Sequence, residues 1–199
     1  MTDFFKTGDL LLCDYRGFSF LGGFSYLIEY FTKSNYSHMA MIIKDPSFIH
    51  PSLKGLFVWE SSWEGKPDPQ DNRIKLGVQM TTLDNFLKNY HGKSKVYYRK
   101  LNCFTSAFSD EKLKEIHDVV YEKPYDLVPR DWVDAYFNVD SKPQKTDRFW
   151  CSALVGYIYT KLGLLPKETD WSILRPSDFS DTSSLQFENC SLEKEKNIK

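Results

Sequence analysis

An α+β fold, with a small antiparallel sheet and helices packed on one side, is predicted by three features of the sequence. Short runs of β-compatible apolar residues are closed by Gly, Pro, Asp and Lys turn chemistry. Other stretches place apolar residues at helical spacing, some behind a Ser or Thr cap. No repeat of any period appears, which excludes solenoids and propellers. The 199 residues, 41% of them hydrophobic, suit one domain with a sizeable core. That single domain is expected over residues 1–190, with 191–199 as a frayed, solvated, charged tail.

The elements follow in order. Lys6-Thr7-Gly8-Asp9 is turn chemistry, and residues 10–13 after it form a short buried strand. Residues 22–33 read as a helix whose stripe is Phe24, Leu27, Ile28 and Phe31. Residues 37–43 are a strand closed by Lys44-Asp45-Pro46, and 55–61 are its hairpin partner. A polar, proline-bearing loop over 64–72 has the length that often covers a site. A short strand over 78–80 precedes a helix over 83–89, capped by Thr82 and ended by His91-Gly92. Residues 96–101 alternate as a strand. Ser109 caps a helix from 110 to about 122, with Leu113, Ile116 and Val120 inward. Pro124-Tyr125-Asp126 turns the chain into an irregular aromatic region through 138. The strongest helix of the second half starts near Phe149 or Trp150 and is stopped by Gly163; residues 185–190 are a candidate last strand.

Charge and hydropathy exclude several function classes. A net charge of −1 with mixed signs gives no electrostatic case for nucleic acid. The N-terminal residues lack the basic and apolar regions of a signal peptide. The longest apolar stretch, 18–31, is interrupted by Gly, Ser and Glu29, short of the roughly 20 apolar residues of a spanning helix. A soluble protein is expected, with peripheral membrane contact as the most it could make. Cys13, Cys103, Cys151 and Cys190 show neither CxxC pairing nor zinc-ligand spacing. Free thiols in a reducing, cytoplasmic compartment are therefore expected, with no metal and no organic cofactor.

Cys151 carries the chemistry. It falls in the first turn of a helix, where unsatisfied N–H groups and a positive partial charge stabilise a thiolate. The same amides can hold an oxyanion. Its alternative is a buried structural cysteine. Cys13 sits inside an apolar strand, Cys103 in a loop and Cys190 near a chain end, none of them with helix-terminal activation. A nucleophilic thiol needs a base. Among four histidines, His117 lies on a helix beside an apolar stripe, His91 at a helix end and His50 in a loop. His38 opens a buried strand, a place where an imidazole is held rigidly; a satisfied buried histidine is the alternative. Glu60, at the end of the hairpin-partner strand, is the candidate to orient it, against the commoner fate of a solvated carboxylate.

These residues fall in a series: Gly8-Asp9-Leu10-Leu11, Ser37-His38-Met39-Ala40, Trp59-Glu60, Pro124-Tyr125-Asp126, and Phe149-Trp150-Cys151-Ser152-Ala153-Leu154-Val155. Leu164-Leu165-Pro166 and Arg175-Pro176-Ser177-Asp178-Phe179 complete it. The series resembles the circularly permuted branch of the NlpC-type papain-like superfamily, which includes bacterial YiiX/YaeF-like proteins and poxvirus relatives. The lecithin retinol acyltransferase group is a more distant cousin. The resemblance spans about Gly8 to Phe179 and rests on motif order. It implies a permuted papain-like fold, a half-barrel sheet against helices with the nucleophile at a helix N-terminus. It also implies Cys151 as nucleophile, His38 as base, Glu60 as orienting residue, and Tyr125 near the nucleophile as an oxyanion donor. A viral or host-cell cytoplasm fits the same relatives. The chain departs from relatives that carry Glu after the Cys-Ser pair, having Ala153 there, and segments 64–72 and 142–145 look particular to it.

The function expected is a cysteine-dependent hydrolase of amidase or peptidase type, working through a thioester on a peptide or acylated substrate. The rivals are a lipid-directed acyltransferase or thioesterase on the same site, and a retired papain-like scaffold that only binds.

Overall fold

In the computed structural model of the protein, residues 4–14, 36–90, 94–127 and 144–199 are described. The expected helix over 22–33, the His91-Gly92 stop and most of the aromatic region after 127 lie outside them.

The strands are β1 (Leu10–Asp14), β2 (His38–Lys44), β3 (Leu56–Trp63), β4 (Leu76–Thr82), β5 (Lys95–Arg99), β6 (Leu101–Asn102), β7 (Ser191–Leu192) and β8 (Lys196–Asn197). Among the described residues the α-helices are α1 (Leu83–Asn89), α2 (Asp110–Val120) and α3 (Cys151–Lys161). Six strands form one antiparallel sheet in the order β4-β3-β2-β1-β5-β8, and β6 pairs with β7 beside it. The class is α+β. No described helix is long and apolar enough to cross a membrane.

Period-two alternation divides the core. Leu10, Leu12, Met39, Met41, Phe57, Trp59, Val78 and Met80 meet α3 on one face; Leu11, Ala40, Ile42, Val58 and Val96 pack under Phe86 of α1 on the other. Both faces are covered, so β1 and β2 read as unbroken apolar runs. The caps stand where Ser and Thr predict them: Thr82 Oγ1 accepts from Asn85 N–H, and Ser109 Oγ from Lys112 N–H. β4 is longer than the 78–80 expected because it pairs with β3 along its whole length, Trp63↔Leu76 to Phe57↔Thr82.

The C-terminal segment corrects the expectation of a frayed tail and of a strand over 185–190. Residues 191–192 and 196–197 are strands instead, and β8 covers the outer edge of β5. Val96 N–H donates to Lys199 O and Ile198 N–H to Val96 O, each at 2.9 Å. The buried Arg99 guanidinium donates to the carbonyls of Phe179, Leu192 and Glu193. These bonds are made by main chain, which composition does not reveal, and an open strand edge supplies the demand for them.

Candidate active site

β2 opens on His38, held across from Cys13 on β1. β2 and β3 pair with Met41↔Trp59 and Ile42↔Val58, a register that carries Glu60 opposite Ala40, diagonal to His38 on the same face. His38 Nε2 and Glu60 Oε2 lie 2.8 Å apart; the imidazole is 14% exposed and the carboxylate fully buried. Glu60 Oε1 is buried with no hydrogen-bond partner among the described residues. A desolvated carboxylate with one satisfied oxygen strongly favours a cation on its partner.

Cys151 is the first residue of α3, and no side chain caps that helix. Its start is fastened from several sides. Ser61 Oγ donates to Phe149 O at 2.7 Å, Asp126 N–H to the same carbonyl at 3.2 Å, and Phe149 N–H to Pro124 O at 3.1 Å. On the far side, Ser152 Oγ and Trp150 Nε1 both donate to Leu174 O, at 2.7 and 3.2 Å. Together they set Cys151 at the head of β2, near enough to His38 that each shifts the other's titration. With Nε2 on Glu60, Nδ1 is the ring nitrogen left for the sulfur.

Electrostatics act in opposite directions on the pair. Burial resists a charge on His38, yet its hydrogen bonds to Cys151 and Glu60 push its pKa up to about 10. Burial raises the Cys151 thiol too. The bond to His38 and the imidazolium charge, then the backbone amides of Met39 and Ser152, more than reverse this, leaving it below the ordinary cysteine value. Both shifts favour the charged pair, thiolate beside imidazolium, over what either group would do alone. Burial instead pushes Cys13 well above that value and Cys190 up to about 12, so both stay thiols.

Glu60→Gln keeps the shape and removes the charge. It is expected to lower the titration midpoint of His38 by about 1–3 units, the usual worth of an adjacent opposite charge. Proton-coupled NMR of the His38 ring would show it, and an unmoved titration would remove Glu60 from the site's electrostatics.

Tyr125 stands on the bridge to Phe149, with its N–H on Leu76 O at 3.2 Å. Burial, then the charges of Cys151 and Asp126, hold its phenol well above the tyrosine range, so it remains an O–H donor near the sulfur. His117 is packed away, with Nε2 2.8 Å from Gln70 Oε1, and His50 is exposed against Ser52 Oγ at 2.7 Å.

Two contributors had no signal in the sequence. Ser61 anchors the start of α3 from inside a strand. Glu64, from the 64–72 loop, accepts from the Asn89 amide and feels both Glu60 and His38; burial and the Glu60 charge push its carboxyl up to about 8. The loop itself is pinned by buried Asp68, which accepts from Lys75 Nζ at 2.8 Å and from Met80 N–H at 3.2 Å. Among the described residues no group of three or more His, Cys, Asp or Glu is placed to hold a metal ion.

Neither protein-family models nor curated proteins match the sequence. Among solved structures it is similar to the crystal structure of metalloprotein yiiX from Escherichia coli O157:H7. The identity is 18%, the TM-score 0.48, and the match covers 98% of this chain and 96% of that one.

Proposed function

We propose that the protein is a cysteine-dependent hydrolase of amidase or peptidase type, on a circularly permuted papain-like fold. The observation that carries the reading is the imidazole of His38 on Glu60 Oε2 beside Cys151, its pKa raised while that of the thiol is lowered. The Cys151 thiolate attacks an amide or ester carbonyl. The tetrahedral oxyanion is met by amides of the first turn of α3 and the Tyr125 hydroxyl. Imidazolium His38 gives its proton to the leaving group, and the acyl group stays on sulfur as a thioester. Neutral His38 then takes a proton from water, which hydrolyses the thioester and restores the pair. Glu60 keeps the ring oriented throughout.

Lipid-directed acyl transfer is the second reading, and one observation favours it. The register pair Trp63 and Leu76 is 43% and 44% exposed, Leu127 is 48% exposed, and all three lie around the Tyr125 backbone. Exposed apolar side chains beside Tyr125 suit an acylated substrate better than a polar peptide.

An electrophilic acyl probe tests both. Labelling is expected in the wild type and lost in Cys151→Ala and His38→Ala. Wild-type protein that ignores iodoacetamide and acyl probes at neutral pH would sink the enzyme reading in favour of a binding scaffold. The mass of a trapped Cys151 adduct distinguishes a peptidyl from a fatty-acyl substrate.

A further inference from the structure

Two of the four cysteines lie far from this chemistry and against each other. β6 and β7 pair antiparallel with Leu101↔Leu192 and Asn102↔Ser191, and the same register carried one step past the strand ends brings Cys103 opposite Cys190. Glu193 N–H donates to Lys100 O at 2.8 Å, which makes 100 and 193 a hydrogen-bonded pair. Antiparallel ladders alternate, so Cys103 and Cys190 occupy a non-hydrogen-bonded rung, where side chains approach closest. Such rungs place Cα atoms about 4.5 Å apart, inside the range of about 4.4–6.8 Å that a disulfide spans. The Cys103 sulfur stands near enough to raise the Cys190 thiol beyond what burial does, and Cys190 Sγ lies 3.6 Å from Leu164 O. Both residues are free and partly exposed, whereas Cys13 and Cys151 are buried.

We propose that Cys103 and Cys190 are a reversible redox pair, closing to a disulfide that staples the C-terminal segment to β6 when a small-molecule disulfide such as oxidised glutathione is supplied. Cys103 thiolate attacks one sulfur of the oxidant; the oxidant's S–S bond breaks and one thiolate leaves. Cys190 then attacks the Cys103 sulfur, its proton passing to the second thiolate as that leaves. Two protein thiols are oxidised, one disulfide is reduced, and the two released thiolates take up the two protons. Cys103 acts first because burial and the neighbouring sulfur make Cys190 the more reluctant thiol. Closure needs little backbone movement, since the segment is already aligned by Glu188 N–H on Leu164 O and by Arg99 on the Leu192 and Glu193 carbonyls. The link would close a long loop of chain and so restrict the unfolded state.

The test uses the full chain, wild type and Cys151→Ala in parallel. Each is incubated with oxidised glutathione, acid-quenched, alkylated and peptide-mapped without reduction. The expected result is a linked peptide pair carrying Cys103 and Cys190, a loss of two titratable thiols, and an upward shift of the urea midpoint that dithiothreitol reverses. Cys103→Ser and Cys190→Ser should lack the link and the shift. Glutathione adducts without a link, or a link through Cys13 or Cys151, would overturn the proposal whatever the variants do. The Cys151→Ala arm keeps its outcome separate from that of the hydrolase reading.

Discussion

Replacing His38 by alanine is expected to cut turnover of an acyl substrate by about 10²–10⁴-fold, the range that a positioned general acid–base contributes. The substitution removes the proposed base and the cation whose charge lowers the thiol. What remains around Cys151 is burial, which favours the neutral thiol, against the Met39 and Ser152 amides. The thiolate should then form only at higher pH. In the wild type, alkylation of Cys151 is expected to rise with pH through a midpoint below the ordinary cysteine value of about 8.5 and then level off. Turnover, which needs imidazolium as well as thiolate, should rise through that midpoint and fall as pH passes about 10, where His38 loses its proton. In His38→Ala the alkylation midpoint moves up and the alkaline fall disappears. Identical alkylation profiles in the two proteins would show that His38 is not what lowers the thiol.

Gly77→Ala carries the largest expected effect on stability. Gly77 has a φ of 145°, a conformation L side chains rarely adopt, and a Cβ there would stand 2.3 Å from Lys123 O and 2.8 Å from Pro124 Cα. Both atoms are backbone, so no rotamer relieves the contact. Residues 123–124 would have to move off β4, breaking the Gly77–Pro124 bridge and the Val78 N–H bond to Lys123 O. Backbone strain and overpacking together put the cost at about 2–5 kcal/mol. With a urea m-value of about 2 kcal/mol per M, the midpoint should drop by about 1–2.5 M. Because Pro124 O holds Phe149 and Tyr125 follows directly, acyl-probe labelling should weaken along with stability. An unchanged midpoint would show that the 123–125 segment is not seated as described.

Much of the frame was legible because local chemistry and final geometry agree. Thr82 and Ser109 cap helices in isolation as they do here, and 37–43 against 55–61 reads as a hairpin from two β-compatible apolar runs with turn residues between them. Cys151 at a helix start and His38 at a strand head could be singled out by position, since those positions carry the field and the rigidity the chemistry needs. The ordered C-terminal segment was not legible. Its charged side chains signal solvation, while its main chain answers the open edge of β5 and the Arg99 donors. Ser61 and Glu64 were hidden likewise, an ordinary strand serine and a loop carboxylate until the sheet and α3 meet around them.

The sequence by itself determined the α+β class, the helix starts, the hairpin and the short list of chemically apt residues, because these depend on neighbours a few positions away. Only the tertiary structure decided that Glu60 reaches His38, that Ser61 reaches the start of α3, and that Leu101 pairs with Leu192. Those pairs are set by strand register and by where α3 lands on the sheet. A one-residue slip would send each strand side chain to the opposite face, and register is chosen by the whole core rather than by any residue in the pair.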